Sequence, residues 1–253
     1  MDNRKVAFIT GATSGIGRAT AELFAKNNIA LVLCGRRQGE LQKLQIALGK
    51  QVPVHTLSFD VREKETVQNA IASLPQDFAQ IDYLINNAGN AHGLEPVHEG
   101  NPEDWDAMLD INVKGLLYVS KAIIPQMVKR EAGHIINIGS TAGKEVYPNG
   151  NVYCASKHAV DAINQGMRMD LNPYGIRVGA INPGLVETNF SEVRFKGDSE
   201  KASTVYKGYK ALQAEDIADI IHFVVTRPYH VNIADLIVMP TAQASSTMVK
   251  KSL

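Results

Sequence analysis

The sequence predicts an α/β protein, with one doubly wound domain over residues 1–253 whose parallel sheet of about seven strands is flanked by helices. Three observations carry this prediction. A length of 253 residues suits a single domain with a large core. Short apolar, β-branched runs recur without in/out alternation, as expected for strands covered on both faces. Helical patterns separate most of these runs, and such alternation is typical of a parallel sheet.

The predicted strands recur along the whole chain, each bounded by turn residues or by a helical pattern. They cover residues 6–10, 30–34, 54–59, 83–86, 134–138, 178–182 and 236–239. Right-handed crossovers would bring the carboxyl ends of these strands to one edge of the sheet, where ligands bind in open α/β folds. Because each polar or glycine-rich motif follows one of these runs, we expect the functional site at that edge.

The composition argues against several classes of protein. Lys plus Arg and Asp plus Glu number 26 each, so no charge excess points to nucleic acid or an acidic membrane. We expect no signal peptide before the first strand, and no apolar run approaches the roughly 18 residues of a membrane span. The two distant cysteines, Cys34 and Cys154, favour a cytoplasmic location. The seven histidines show no ligand spacing, so no metal is predicted.

A glycine-rich turn follows the first predicted strand and precedes a helical pattern over residues 18–26. Gly11 allows a sharp turn, Gly15 allows the backbone to approach a pyrophosphate at the helix start, and Gly17 allows close helix–strand packing. Its glycine spacing differs from the commoner G-x-G-x-x-G fingerprint, and alone such a turn is weak evidence. The predicted dinucleotide contacts here are Gly11, Thr13, Ser14, Gly15, Ile16 and Gly17.

Two arginines follow the second predicted strand, at the place where NAD enzymes usually carry an acid for the ribose 2′-hydroxyl. A guanidinium suits a 2′-phosphate, because it forms charge-assisted and often bidentate hydrogen bonds. We therefore predict NADP as cofactor, with Arg36 on the phosphate and Arg37 near the adenine. The alternative is that both are solvated charges at a helix start.

Two further motifs fit the same ligand. Asp60 and Val61 end the third predicted strand, where an acid is placed to accept from the adenine amino group, although a capping or turn role is an alternative. Asn87, Ala88 and Gly89 follow the fourth strand, and their small size lets the backbone approach a ribose. An ordinary turn is the alternative there.

Tyr153 and Lys157 begin a long predicted helix, and their spacing puts a phenol and an ammonium on one face. A charge about 5 Å away, at an effective dielectric of about 20, favours the phenolate by roughly two pK units. This predicts a pKa of about 8 for Tyr153, which is suited to general acid/base catalysis on an alcohol/ketone pair. For an isolated pair of this kind, a surface Tyr and Lys is the commoner explanation.

Two polar residues complete the predicted site. Ser140 ends the fifth predicted strand and is suited to steadying a substrate oxygen beside Tyr153. Asn112 falls in a long helical segment over residues 105–130, where the alternative is a polar residue that bends the helix. We expect Pro125 to bend or split the same segment.

These motifs, in this order and over essentially the whole chain, resemble the short-chain dehydrogenase/reductase superfamily. The resemblance implies a Rossmann-type fold, a nicotinamide cofactor and a catalytic tetrad of Asn112, Ser140, Tyr153 and Lys157. It also implies that Lys157 binds ribose hydroxyls and that Asn112 helps to hold a water in a proton relay. Residues 182–188 resemble the nicotinamide loop of the family. The contacts implied there are Pro183, Gly184, Val186 and Thr188.

Residues 138–143, 150–153, 190–198 and 231–240 are similar to one subgroup, the NADP-dependent 3-hydroxy acid dehydrogenases. Their substrates include serine and allo-threonine, so the carboxylate needs a cation in the pocket. We predict Arg194 for this role, in a lid over residues 188–210, with solvated lid charges as the alternative. Lys196 is open to a role on carboxylate, cofactor phosphate or solvent.

Other functions remain open on the residues alone, namely a reductase of 3-oxoacyl thioesters or other carbonyl compounds, and a non-catalytic NADP-binding regulator. Cys154 is expected to pack beside the site, with a reactive thiol as the alternative. Several apolar residues are available to pack on a partner subunit or on the sheet, and the family habit implies a homotetramer. They are Ile123, Ile124, Met127, Ile163, Met167 and Met169.

Overall fold

A computed structural model describes residues 4–251, and within them it confirms the predicted seven-stranded parallel sheet. The strands are β1 Val6–Thr10, β2 Ala30–Gly35, β3 Val54–Ser58, β4 Tyr83–Asn86, β5 His134–Ile138, β6 Arg177–Pro183, the short β7 Val186–Glu187 and β8 Leu212–Gln213, and β9 Asp235–Val238. Their order in the large sheet is β3-β2-β1-β4-β5-β6-β9. The direction of winding reverses between β1 and β4, and a crevice for a ligand forms outside the carboxyl ends at such a point.

Helices cover both faces of this sheet. The α-helices along the described residues are α1 Gly15–Lys26, α2 Gln38–Leu48, α3 Lys64–Ala72, α4 Pro102–Leu109, α5 Leu116–Lys129, α6 Asn151–Leu171, α7 Phe190–Arg194, α8 Ser199–Thr204 and α9 Ala214–Val225. One buried cluster packs α1, α2 and α9 against the sheet, and a second packs α3, α5 and α6 against the other face. All five residues of β1 are buried, which explains why the strand sequences do not alternate.

The segment predicted as one helix over residues 105–130 is divided, but not at the proline. A π-helical turn, Asp110–Gly115, separates α4 from α5 and contains Asn112. Pro125 lies inside α5, which continues through it, so of the bend or split expected at this proline the split does not occur. Pro125 and Lys121, one turn before it, are both exposed, and water can satisfy the carbonyl that proline leaves unpaired.

The short strands β7 and β8 pair in parallel and were not predicted. They bracket α7 and α8, so the predicted lid over residues 188–210 lies between two paired strands. Of the apolar residues left open above, Ile123 and Met127 are completely buried against the sheet, whereas Met169 is 68% exposed. No helix within residues 4–251 has the length and apolar character needed to cross a membrane.

Candidate active site

The glycine-rich turn between β1 and α1 is packed tightly against the loop after β4. Gly11 has a φ of +65°, as the predicted sharp turn requires. A Cβ on Gly17 would lie 2.5 Å from both the Gly11 carbonyl oxygen and Asn87 Nδ2. The Asn87 amide donates to the Thr10 carbonyl at 2.9 Å and to that of Gly11 at 3.3 Å. The glycine-rich turn and the loop after β4 are therefore held together at the start of α1.

The loop after β4 joins this turn to the predicted reactive residues. Thr10 Oγ1 accepts from the backbone amides of Asn87 at 3.0 Å and Ala88 at 2.9 Å. A Cβ on Gly89 would lie 3.1 Å from Asn112 Oδ1 and 3.6 Å from Lys157 Nζ. The loop thus runs between the glycine turn and the side chains expected to react.

The end of β2 carries the two arginines into different surroundings. Arg37 donates to Thr13 Oγ1 from Nη2 at 2.8 Å and from Nε at 3.2 Å, so it braces the glycine-rich turn. The Arg36 side chain is 65% exposed, and its Nη1 lies 3.8 Å from Asp60 Oδ2. Both carboxylate oxygens of Asp60 accept from Arg62, including its backbone amide. Asp60 therefore holds the turn to Arg62, beside the exposed Arg36 guanidinium, and its contact with the adenine amino group stays a prediction.

Val61 and the loop after β6 complete the walls of the crevice. The Val61 side chain packs against Gly115 in the π turn. Pro183 ends β6, Val186 lies in β7, and the Thr188 methyl would contact a Cβ on Gly15 at 3.3 Å. Thr188 of the predicted nicotinamide loop therefore faces the start of α1, whereas Gly184 packs against Gln243 and Met239.

Ser140 and Tyr153 meet beyond the end of β5. Ser140 Oγ accepts from the Ala142 amide at 3.1 Å, and its hydroxyl lies close enough to the Tyr153 phenol to lower the pKa of that group. Tyr153, near the start of α6, is 8% exposed. Its ring lies against Phe190 of α7, with 5.8 Å between the ring centroids. The structure thus brings together the phenol and hydroxyl that the sequence predicted as partners.

The predicted lowering of the Tyr153 pKa by Lys157 is wrong for the protein alone. Burial raises the pKa of Tyr153 well above its ordinary value, Tyr147 raises it further, and the hydrogen bond with Ser140 lowers it. Lys157 Nζ donates to the Ile138 carbonyl at 2.9 Å, and burial lowers the pKa of Lys157 to about 8. The attraction between the two charges, which the spacing indicates, is outweighed by the cost of burying each of them.

Asn112 is held rigidly in the π turn. Its Oδ1 accepts from the Asn90 amide at 2.8 Å, and its Nδ2 donates to the Asn90 carbonyl at 2.9 Å and to Ser156 Oγ at 3.0 Å. Ser156 in turn donates to the Tyr153 carbonyl at 2.7 Å. Asn112 therefore ties α6 to the loop after β4. Neither Asn90 nor Ser156 was predicted from the sequence. The position of Ser156 directly before Lys157 was the one signal that could have indicated it.

The segment predicted as a lid lies directly over Tyr153. Arg194, at the end of α7, donates from Nε to the Gly93 carbonyl at 3.2 Å and from Nη2 to Tyr147 Oη at 2.8 Å. Its guanidinium carbon is 5.4 Å from the centroid of the Tyr153 ring. Tyr147 was not predicted, and the only signal for it was an aromatic residue in a Pro/Gly-containing turn shortly before Tyr153.

Lys196 has a partner that none of its predicted roles included. Its Nζ lies 2.9 Å from Asp104 Oδ2 on α4, so this lysine fastens the lid to the body of the protein. The cavity between Tyr153 and Arg194 measures about 10 Å³. A larger hollow of about 340 Å³ lies between α3 and α5 and is lined by residues outside the predicted site, among them Ile71, Ile81 and Ile123.

Two remaining predictions concern cysteine and metal. Cys154 is fully buried, and burial raises the pKa of its thiol, which agrees with packing beside the site rather than with a reactive thiolate. Within residues 4–251, no three His, Cys, Asp or Glu side chains gather in a way suited to a metal ion.

The sheet order, the glycine-rich turn at the switch point and the Ser–Tyr–Lys–Asn cluster define the class of protein, a Rossmann-type oxidoreductase. A family model described as short chain dehydrogenase matches residues 5–199, and the chain belongs to that family. The resemblance stated from the motifs is therefore confirmed.

Curated relatives cover almost the whole chain. The NADP-dependent 3-hydroxy acid dehydrogenase YdfG of Salmonella typhi is 46% identical over 240 residues, which span 94% of this chain and 96% of the relative. The YdfG enzyme of Escherichia coli strain K12 is 45% identical with the same coverage. Sulfoacetaldehyde reductase 2 of Chromohalobacter salexigens is 43% identical over 242 residues, 95% of this chain and 96% of that protein.

Two solved structures give the same result for the fold. The closed form of serine dehydrogenase complexed with NADP+ has a TM-score of 0.92 and 43% identity, covering 98% of this chain and 100% of that one. Serine dehydrogenase from Escherichia coli has a TM-score of 0.82 and 40% identity, covering 94% and 99%.

Proposed function

We propose that this protein is an NADP-dependent dehydrogenase that interconverts small 3-hydroxy acids and their 3-oxo acids. The substrates are of the serine, L-allo-threonine and 3-hydroxypropionate type. The observation that carries the proposal is the guanidinium of Arg194, 5.4 Å from the centroid of the Tyr153 ring. A cation there is suited to a carboxylate two bonds from the reacting carbon, while the Tyr153 hydroxyl serves the alcohol. Relatives at 45–46% identity with this activity in their names support it.

The residues of the crevice fit the cofactor NADP. Amides at the start of α1 suit the pyrophosphate, and Lys157 with the Asn87–Gly89 loop suits a ribose. Arg36 is exposed beside Asp60 at the end of β2, where its charge would hold the 2′-phosphate, with Arg37 toward the adenine. When bound, the cofactor supplies the hydride acceptor or donor.

In this mechanism the protein orients the substrate and moves one proton. During oxidation Tyr153 takes the hydroxyl proton while Ser140 hydrogen-bonds the developing alkoxide. During reduction Tyr153 returns the proton, and its raised pKa keeps it protonated for that task. Loss of the proton requires nearby positive charge, and we assign this to Lys157 and the oxidised nicotinamide ring. Asn112 positions α6 and, with Lys157, holds the water of a proton relay.

A second candidate substrate is a small sulfonate. In a 2-hydroxyethanesulfonate the acid group is as many bonds from the carbinol carbon as in a 3-hydroxy acid. Tyr147 Oη beside Arg194 adds a second polar group for its additional oxygen. The relative at 43% identity named sulfoacetaldehyde reductase 2 supports this alternative.

A substrate panel tests the proposal. Purified protein is incubated with NADP+ or NAD+ and with L-serine, L-allo-threonine, 3-hydroxypropionate, 2-hydroxyethanesulfonate or a matched uncharged alcohol. We expect turnover with NADP+ and the carboxylates, and little with the alcohol. Equal rates with the uncharged alcohol would favour a general carbonyl reductase, and no reduced cofactor with any of them would favour a regulator.

Tyr153→Phe tests the acid/base assignment directly. We expect this variant to lose turnover while it still binds NADPH, measured by cofactor fluorescence. Turnover close to that of the parent protein would exclude Tyr153 as the acid/base.

We also infer a homotetramer. Exposed apolar side chains on α5, α6 and β9 support it, namely Leu117, Met169 and Ile237. Sedimentation velocity measures the assembly, and a monomer at micromolar concentration would contradict it.

A further inference from the structure

A charged cluster beside the proposed site joins three segments of the chain. Lys144 follows the turn that begins at Ser140, and its Nζ lies 2.6 Å from Asp161 Oδ1 and 2.8 Å from Asp235 Oδ2. Asp161 is on α6, one turn after Lys157, and Asp235 is the first residue of β9. One ammonium therefore bonds to both the helix and the edge strand.

The contacts continue from Asp235 back to the serine turn. Asp235 Oδ1 accepts from Asn182 Nδ2 at 2.5 Å, and Asn182 directly precedes Pro183 of the proposed nicotinamide loop. The Gly139 amide donates to the Ile181 carbonyl at 2.8 Å, immediately before Ser140. Together these bonds connect the turn after Ser140 to β9, β9 to β6, and β6 to Gly139, the residue before Ser140.

The serine turn also packs directly on α6. A Cβ on Gly143 would lie 2.7 Å from the Lys157 carbonyl oxygen. A shift of this turn toward α6 would therefore displace the backbone of Lys157. Lys144 and Asp161 have side chains that are only 22% and 19% exposed. Ion pairs in such partly buried places are screened less by water and salt than exposed ones.

The arrangement depends on the charge of Lys144. Its ammonium separates two carboxylates that would otherwise face each other across the gap, and like charges at that range repel. Without it, the turn after Ser140 would lose its bonds to α6 and β9 together. Within the described part of the chain, both carboxylates also keep second partners, since Gln165 donates to Asp161 at 2.9 Å and Asn182 to Asp235.

We propose that Lys144 is a positioning residue for the reaction, one that keeps Ser140 and Lys157 in register with the Pro183–Gly184 loop. For its kinetic consequence the inference rests on the proposed function. The Lys144 side chain acts through the turn after Ser140 and through α6. We assign it no contact with the reacting atoms.

The test compares Lys144→Met, Lys144→Arg and Lys43→Met. Lys43 is the matched control, because its 2.8 Å ion pair with Glu40 is solvent-exposed and lies on α2, a helix that takes no part in the Lys144 cluster. For Lys144→Met we expect kcat on the best hydroxy acid to fall about tenfold or more, since small misplacements of reacting groups cost that much. The KM for NADP+ should stay within about threefold, because the phosphate contacts are untouched. Lys144→Arg should restore at least about a third of kcat, since it keeps both ion pairs, and Lys43→Met should match the parent protein.

Hydrogen exchange of the same variants supplies a readout that needs no substrate. We expect faster exchange at residues 140–145 and 182–188 in Lys144→Met alone. If Lys144→Met does not fold, Asp161→Asn, which weakens one of the two bonds, should show the same kcat loss in smaller measure. Unchanged kcat and exchange in the methionine variant, or a loss that arginine does not restore, would overturn the inference. Absence of turnover in the parent protein would instead overturn the proposed function, and exchange alone would then decide the role of Lys144.

Discussion

Replacing Lys157 by methionine is expected to stabilise the protein while it abolishes the proposed activity. The Lys157 side chain is buried, and its ammonium has lost most of its hydration. Burial lowers its pKa from 10.5 to about 8. A cationic group whose pKa is lower in the folded protein than in the unfolded chain destabilises the folded protein while it is charged. A methionine of similar length fills the same space without that cost.

The magnitude follows from the shift. At about 1.4 kcal/mol per pK unit, a fall from 10.5 to about 8 corresponds to about 3 kcal/mol. The variant also loses the bond from Nζ to the Ile138 carbonyl at 2.9 Å, which is worth about 1 kcal/mol. We therefore expect Lys157→Met to raise the free energy of unfolding by about 2 kcal/mol at pH 7.

The pH dependence has a definite sign. Below pH 8, Lys157 is charged in both the folded and the unfolded protein, so the full cost applies. Between pH 8 and pH 10.5 the folded protein releases the proton while the unfolded chain keeps it, and the parent protein gains stability relative to the variant. The advantage of methionine should therefore shrink across that range.

Urea unfolding of the cofactor-free protein at several pH values from about 7 to about 10 measures this difference. Lys43→Met is the control, since Lys43 is 75% exposed and its replacement should have little effect at any pH. A Lys157→Met variant that is less stable than the parent at pH 7, or a stability difference that is flat with pH, would refute the reasoning.

Three further substitutions test the cofactor and substrate assignments. Arg36→Ala should raise the KM for NADP+ about tenfold and leave the KM for NAD+ nearly unchanged, because a charge-assisted hydrogen bond to the 2′-phosphate is lost. Steady-state kinetics with both cofactors measures the two KM values. Equal changes in both would count against the 2′-phosphate contact. Arg194→Ala should weaken carboxylate substrates about tenfold or more relative to uncharged alcohols, and a uniform loss would indicate a lid role only. Gly17→Ala should lower the free energy of unfolding by about 1–3 kcal/mol and impair NADPH binding, because its Cβ would lie 2.5 Å from the Gly11 carbonyl oxygen. Gly166→Ala on α6 is the control, because its Cβ would have no neighbour within 4 Å and should have neither effect. Equal effects of the two substitutions would contradict the packing argument.

The long-range contacts of the lid and of the lysine cluster had no counterpart in the sequence analysis. Arg194 and Tyr147 are 47 residues apart, and Lys144 and Asp235 are 91 apart. Neither pair has a local spacing that singles it out, because the segments that carry these residues are distant in sequence and meet only in the tertiary structure. Lys196 was assigned to phosphate, carboxylate or solvent for the same reason, as its partner Asp104 lies on a helix far along the chain.

By itself the sequence determined the sheet, the turn at the switch point and the identity of the residues at its edge. Those features depend on short apolar runs and on short motifs, which are local properties of a chain. Only the tertiary structure decided the direction in which burial shifts the pKa of Tyr153 and of Lys157. It also decided the division of the 105–130 segment at a π turn and the partners that hold Arg194, Lys196 and Lys144. These depend on burial and on contacts between distant segments, and desolvation in particular acts on a charge only once the surrounding elements have enclosed it.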